Sequence, residues 1–293
     1  MNIQKSFDPE AKGVVYVVPT PIGNLEDITY RALKILETVS IIAAEDTRNT
    51  KNLLHHFDIA TSLISYHEHN KQAREEQLLQ VIENGESIAI VSDAGMPAIS
   101  DPGYELVQAA ISRGEAVVVL PGANAALCAL VGSGLPPEEF YFYGFLPRKK
   151  KDKADVLQRL KPISATLLFY ESPYRLKDTL HVMYEQLGNR QVTIARELTK
   201  RFEEYVRGSM EELVSWMAEN EWKGECCIVV EGESSTELHE HDNALWWSHL
   251  SVMEHVNYYI EEQHLSSKEA IKQTSVDRKM PKRDVYRIFH VGT

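Results

Sequence analysis

Short apolar runs alternate with helical patterns through the first half of the chain. GVVYVV at 13–18, SIIAA at 40–44, SIAIV at 87–91 and AVVVL at 116–120 are continuous, short and rich in β-branched residues, which predicts strands. Between them, DITYRALKILETV at 27–39 sets Ile28, Ala32, Leu33, Leu36 and Val39 on one helical face. EEQLLQVIENG at 75–85 reads as a second helix, and a third, starting near Asp101, stops at Gly114, a residue suited to the position after a helix end. Strands that are apolar throughout, rather than alternating, are covered on both faces. With helices between them they predict a parallel sheet, and ligands of such sheets bind beyond the carboxyl ends of the strands.

After Gly134-Leu135-Pro136-Pro137 the pattern changes. FYFYGFLPR, TLLFYESPYRL, VTIARELTKRF, EEYVRG and ECCIVVEG read as strands, with helices near 152–160, 174–187 and 210–218. A polar stretch, GESSTELHEHDN at 232–243, precedes some fifty residues of helical pattern. The expected architecture is therefore α/β: a parallel-sheet domain over 13–135, a mixed-sheet domain over 138–233, and a small helical appendage over 244–293.

Three strand ends run into loops of small and rigid residues: Pro19-Thr20-Pro21-Ile22-Gly23-Asn24, Ser92-Asp93-Ala94-Gly95-Met96-Pro97 and Pro121-Gly122-Ala123-Asn124. Glycine and alanine let backbone approach a ligand, and proline stiffens the loop. Carboxylates cluster at two of the ends, as Glu45-Asp46-Thr47-Arg48 and as Asp93. Asp46 or Thr47 also suits the N-cap of the following helix. Ser100/Asp101 directly before Pro102 has the order of an N-cap and a first-turn proline, so Asp101 is expected to cap a helix.

The chain contains no G-x-G-x-x-G after the first strand, no G-x-x-x-x-G-K-[ST] and no G-x-S-x-G, which removes the main support for dinucleotide, P-loop and serine-hydrolase chemistry. His55-His56, His67/His69 and His239/His241 sit in polar stretches without metal-ligand spacing, and no metal site is expected. Cys226-Cys227 opens an apolar strand and suits a buried structural role.

Composition narrows the setting. The 293 residues are 43% hydrophobic and 25% charged, ordinary for a globular protein and enough for two modest domains. No apolar run approaches the roughly 20 residues of a bilayer span, and MNIQKSFDPEAKG lacks a signal-peptide core. Three cysteines, two of them adjacent, make no disulfide framework and suit a reducing cytoplasm. A net charge of −12 argues against a protein coated in nucleic acid, yet Arg148-Lys149-Lys150-Lys151-Asp152-Lys153 forms a dense basic run. With Arg196, Lys200 and Arg201 it is suited to a groove that tracks phosphates. The tail adds seven positive residues, Lys268, Lys272, Arg278, Lys279, Lys282, Arg283 and Arg287, against Glu269, Asp277 and Asp284, which agrees with an RNA-facing appendage.

PTPIGNLEDIT, EDTR, SDAGMPAISDPG, PGANA, GFLPRKKK, FYESPYRL and ARELTK stand in one order, and in it the chain resembles the ribosomal RNA small subunit methyltransferase I family over about residues 13–235. That family lies in the tetrapyrrole-methylase-like group. The resemblance implies two α/β domains with S-adenosylmethionine in the cleft between them, and a homodimer. It implies 2′-O-methylation of a decoding-region cytidine in 16S rRNA, met as free RNA or in the small ribosomal subunit. By motif, it carries Pro21, Gly23, Asp93, Ala94 and Gly95 onto the cofactor cleft, with Ile99, Ser100 and Ala123 beside them. Tyr170, Glu171 and Ser172 are carried over from the second domain, and Cys226, Cys227 and Ile228 to the side of the adenine. Asp93 suits the cofactor's ammonium.

A ribose hydroxyl is a poor nucleophile and gains from a base or a nearby cation. Glu45, Asp46, Glu171 and Glu197 are candidates for the first role, and Arg48, Arg196 and Lys200 for the second. Arg148, Lys149, Lys150, Lys151, Arg196 and the tail are the candidate RNA contacts. Two other readings stand beside this one: a methyltransferase acting on a tetrapyrrole precursor, and a nucleic-acid-binding regulator without enzymatic activity.

Overall fold

The computed structural model describes residues 3–6, 13–220, 222–233, 247 and 250–291. Residues up to Glu233 form one compact unit and those from Ser234 a second. No helix among the described residues is long and apolar enough to cross a membrane. The histidines at 239 and 241 lie outside the described residues.

The first sheet contains β1 (Val14–Val17), β2 (Ile41–Ala44), β3 (Leu63–Ser65), β4 (Ile88–Val91) and β5 (Ala116–Val119), in the order β3-β2-β4-β1-β5. Every pairing is parallel. Successive residues of each strand feed two separate cores. Val14, Ile42, Ala44, Ala89 and Val91 pack on one side with Leu36 of α1 (Tyr30–Thr38). Val15, Ala43, Ile88 and Ile90 pack on the other, with Leu79 of α3 (Lys71–Glu83) and Leu106 of α4 (Tyr104–Ser112). This two-sided burial is why the runs are apolar at every position. β3 has three residues, LIS, too few for a sequence pattern, and exists through its pairing with β2.

In the strand order, β1 connects toward β2 and its neighbour β4 connects toward β5, so their following loops leave in opposite directions. An open α/β sheet holds ligands at such a switch point. Here Thr20 and Gly95 join the two loops through a pair of backbone hydrogen bonds of 3.0 Å each.

The second sheet runs β6 (Phe140–Phe145), β7 (Thr166–Glu171), β10 (Cys226–Val230), β8 (Gln191–Arg196) and β9 (Glu204–Ser209). β6 and β7 are parallel and the other pairings antiparallel, giving the expected mixed sheet. One face is covered by α6 (Lys150–Leu160), α7 (Pro173–Leu187) and α8 (Met210–Glu219), around Phe169, Leu180 and Ile228. The other face receives α5 (Ala125–Ser133), whose Ala126 and Ala129 allow close approach to Leu168, Ala195 and Cys227.

α6 corrects one expectation. Lys153 is 4% exposed, because it shares the helix's buried face with Val156, Leu157 and Leu160 at the i, i+3, i+4, i+7 spacing. It belongs to the interior and not to the solvent-facing basic run.

Among the described residues of the C-terminal unit, α9 (Val252–Glu261), α10 (Ser267–Asp277) and α11 (Lys282–Val291) pack on Val256, Ile271 and Val285. Capping boxes at Ser251/Glu254 and Ser266/Glu269 start the first two helices. Arg278 donates to the Trp247 and Ser251 carbonyls and to His255 Nδ1 at 3.1–3.2 Å, so this tail arginine holds its own unit together.

Candidate active site

Within the first compact unit, the second sheet faces the first across a cavity of about 450 Å³. Its floor is the edge of the mixed sheet where the carboxyl ends of β7 and β8 flank the start of β10, since Cys226 pairs with both Glu171 and Arg196. Opposite lie Ile22 and Glu45, followed by Asp93, Gly95 and the segment 99–101. Phe145, Tyr170 and Leu198 supply apolar wall. A smaller cavity of about 340 Å³ adjoins it, lined by Pro21, Gly23, Asn49 and His56, and Asp93 faces both.

Asp101 corrects a second expectation. α4 begins at Tyr104, its N-cap is Gly103 with φ 138°, and no side chain caps it. The chain passes through left-handed conformations at Ala98 (φ 66°), Ser100 (φ 64°) and Gly103, a concentration of strain that local sequence preference disfavours. Packing holds it there. A Cβ on Gly144 would lie 3.0 Å from Ser100 Oγ, and one on Gly103 3.3 Å from Ala98 Cβ. The segment thereby turns Asp101 away from the helix and into the cavity, near Glu45 and Asp93.

Burial, then the charges of Glu45 and Asp93, push the Asp101 carboxyl up to about 7, against a hydrogen bond from Ser92. Burial and the Asp93 charge also raise Glu45. Such carboxylates repel one another until a cation arrives.

Asp93 stands at the end of β4 and is held from the β2 side. The Asp46 backbone N–H donates to its Oδ1 at 3.1 Å, and Asn49 Nδ2 to its Oδ2 at 3.2 Å. Asp46 itself is the N-cap of α2 (Thr47–His56), accepting from the Arg48 N–H at 2.8 Å. Its side chain takes the Arg48 guanidinium at 2.6–3.2 Å, and those hydrogen bonds hold the carboxyl down at about 2. Neither Asp46 nor Arg48 lines the main cavity.

Across the cleft, the turn after β8 is strained at Glu197 (φ 49°) and Thr199 (φ 67°). Lys200 Nζ donates to Glu197 and Glu225 at 3.1 Å each, and all three residues line the cavity. The Asn24 N–H donates to Thr199 Oγ1 at 3.0 Å, which ties this turn to the PTPIGN loop. Gly23 is required there, since a Cβ would lie 2.3 Å from Lys200 Cγ.

The sequence-named residues divide as follows. Glu45, Glu197 and Lys200 line the main cavity, with Asp93, Ala94, Gly95, Ile99 and Ser100. Tyr170, Glu171, Ser172, Cys226 and Cys227 line it from the second sheet. Pro21 and Gly23 open onto the adjoining cavity, and the Ala123 carbonyl lies 3.6 Å from where a Gly95 Cβ would be. Ile228 is fully buried in the sheet core.

Arg196 is paired with Glu204 at 2.5 Å and stacked over Trp222, outside the cavity. Burial pushes the Cys227 thiol up to about 12 and raises Cys226 as well, so neither is an available thiolate. Asp101, Phe145 and Glu225 are cavity residues that the sequence reading did not assign to the site. Among the described residues no His, Cys, Asp and Glu cluster is arranged to hold a metal ion.

The family model of tetrapyrrole (corrin/porphyrin) methylases matches residues 14–214. A ribosomal RNA small subunit methyltransferase I of Halalkalibacterium halodurans is 56% identical over 291 residues, covering 99% of this chain and 99% of its own. Its namesake from Bacillus subtilis is 50% identical over 289 residues, 98% of each chain. Among solved structures, uroporphyrin-III C-methyltransferase of Thermus thermophilus complexed with S-adenyl homocysteine has a TM-score of 0.52 at 18% identity, over 75% of this chain and 97% of its own.

Proposed function

The chain belongs to the tetrapyrrole methylase family, alongside the ribosomal RNA small subunit methyltransferases I, and from that premise we propose that it methylates the 2′-hydroxyl of a decoding-region cytidine in 16S rRNA. It is a methyltransferase, and its cofactor is S-adenosylmethionine.

The cavity's chemistry fits that cofactor. Beyond the effect of burial, the Asp93 charge raises the proton affinity of Glu45, and the charges of Glu45 and Asp93 raise that of Asp101; a ligand carrying sulfonium and ammonium charges relieves that repulsion. Ile22, Ile99 and Leu198 offer apolar surface for an adenine. When bound, S-adenosylmethionine supplies a methyl group already activated by its sulfonium. What remains for the chain is to bind, orient and accept a proton.

Asp93 holds the ammonium side, kept in place by the Asp46 N–H and Asn49. Among the candidate bases, Asp46 is engaged with Arg48, Glu197 with Lys200, and Glu171 is turned inward. Glu45, with Asp101 beside it, is left to take the ribose proton.

The observation that carries the RNA reading is the position of the basic run. Phe145 lines the cavity at the end of β6, and the exposed residues Arg148–Lys151 follow within six positions, so a polyanion gripped there is delivered to the cavity mouth. The setting that goes with this substrate is the cytoplasm. A homodimer is supported by α5, whose outer face leaves Leu127 and Val131 exposed.

Purified protein, labelled cofactor and three acceptors test the reading: small ribosomal subunits, free 16S rRNA and a tetrapyrrole precursor. The expected result is label on the RNA of one of the first two. Label on the macrocycle alone reverses the assignment.

A further inference from the structure

One buried carboxylate ties the basic loop to the wall of the cavity. Glu171 ends β7, and its side chain has no solvent exposure. Its Oε1 accepts the Ser172 N–H at 2.8 Å and faces Arg175 Nε at 3.3 Å. Its Oε2 accepts the Thr179 hydroxyl at 2.6 Å, and that hydroxyl in turn accepts from Lys153 Nζ at 2.6 Å. Thr179 and Lys153 are themselves buried, at 0% and 4% exposure.

The two cations around Glu171 flank one loop: Arg175 bonds its start, and Lys153 belongs to the helix that follows it. Arg175 Nη2 donates to the carbonyls of Leu146 at 2.7 Å and Pro147 at 3.2 Å, where the chain leaves β6. Lys153 sits one turn into α6, which starts at the loop's far end; its backbone N–H makes the helical bond to the N-cap Lys149 carbonyl at 3.0 Å, and its ammonium fixes that helix start to Thr179. Glu171 and Ser172 meanwhile line the cavity. Burying the Lys153 cation and the Glu171 carboxylate, with Arg175 half-buried beside them, costs free energy that an apolar core of the same shape would not, so the arrangement calls for a reason other than stability.

We propose that Glu171, Thr179, Lys153 and Arg175 form a positioning strut that fixes the loop Leu146–Lys151 against the Glu171–Ser172 wall, so that RNA phosphates held by the loop set where the target ribose lies. The proposal rests on the RNA reading above. Glu171 is then a positioning residue and not a base. Burial lowers the proton affinity of Lys153, and the charges of Glu171 and Asp178 oppose that shift.

The strut is tested with Thr179→Val, which keeps the side-chain shape and deletes both hydroxyl bonds, with Thr179→Ser as the conservative rescue and Lys153→Met as a second break. Hydrogen exchange on the cofactor-free full chain is the first readout. The amides of 146–152 and Ser172 are expected to exchange together at least about tenfold faster in Thr179→Val and Lys153→Met, and at wild-type rates in Thr179→Ser. Acceleration confined to α7, or none, overturns the strut.

Turnover on small subunits is the second readout. Loss of alignment is expected to lower kcat about tenfold or more while KM and cofactor Kd stay within about threefold, with Thr179→Ser restoring kcat. A kcat unchanged at a temperature where the variant is folded contradicts the proposal. Wild-type protein that labels no ribosomal RNA defeats the functional reading, and the exchange result still decides the strut.

Discussion

The backbone N–H of Asp46 donates to the Asp93 carboxylate at 3.1 Å, so the N-cap of α2 holds a residue of the loop that follows β4. Asp93 therefore has two separable jobs, accepting from its neighbours and presenting a negative charge to the cavity. Asp93→Ala ends both: about 1 kcal/mol of stability is expected to go with the hydrogen bonds, and cofactor affinity is expected to fall about tenfold or more. Asp93→Asn keeps an oxygen for the Asp46 N–H and is expected to retain most of the stability but not the affinity. Calorimetry showing wild-type affinity in Asp93→Asn would reject the role of the charge.

Asp101 makes stability depend on pH in a direction opposite to most carboxylates. Its folded value, about 7, lies above the ordinary aspartate value, so its favourable contribution is present in acid and is lost as pH rises toward 7. Asp101→Asn mimics the protonated form at every pH. The variant is expected to melt with the wild type only in acid below the ordinary aspartate value, and above it by a margin that grows as pH rises toward about 7 and is full near pH 8. With solvent screening, a difference of order 1 kcal/mol corresponds to about 2–4 °C. Wild-type cofactor affinity is expected to strengthen from about pH 6 to 8 as the carboxyl ionises, and that slope is expected to flatten in the variant. A variant less stable than wild type near pH 8 contradicts the assignment of Asp101 to the repulsive cluster.

The lysines of the basic loop differ in freedom. Lys150 lies 3.2 Å from Glu185, whereas Lys149 and Lys151 are exposed with no ion pair among the described residues. Lys149→Ala and Lys151→Ala are expected to raise KM for ribosomal subunits more than Lys150→Ala does. Each is expected to lower the slope of log KM against log salt by about one unit, with cofactor Kd unchanged. A salt slope identical to wild type in the double variant removes this loop from the RNA interface.

The outer face of α5 exposes Leu127 at 47% and Val131 at 78%. If a second copy covers them, Leu127→Asp with Val131→Asp places charges in that contact and is expected to convert a dimer to a monomer in light scattering. A dimer that persists at unchanged concentration dependence locates the contact elsewhere.

Much of this fold was legible because its strands are covered on both faces. Val14–Val17 and Ile88–Val91 need apolar residues at every position, and that continuity survives in the sequence. β3 was not legible, since a three-residue strand is made by its neighbour and carries no period of its own. Asp101 misled for the opposite reason: Ser-Asp-Pro is a sound local capping order, overridden by contacts with Gly144 and Gly103 that lie far off in sequence or depend on left-handed backbone. Lys153 was open to a correct reading. Its spacing to Val156, Leu157 and Leu160 marks the buried face of α6, but its place at the end of a charge run hid that signal. Residues of the loop motifs come together around one cavity, while the pairings of Asp46 with Arg48 and of Arg196 with Glu204 depend on rotamers that no spacing encodes.

The most direct test of the central claim is the methylation state of the ribosomal RNA itself. 16S rRNA from cells lacking this gene, and from the same cells with the gene restored, is digested and read by mass spectrometry across the decoding region. The account expects one cytidine ribose to lack its 2′-O-methyl group in the first sample and to regain it in the second. The same mark present at full occupancy without the gene contradicts it.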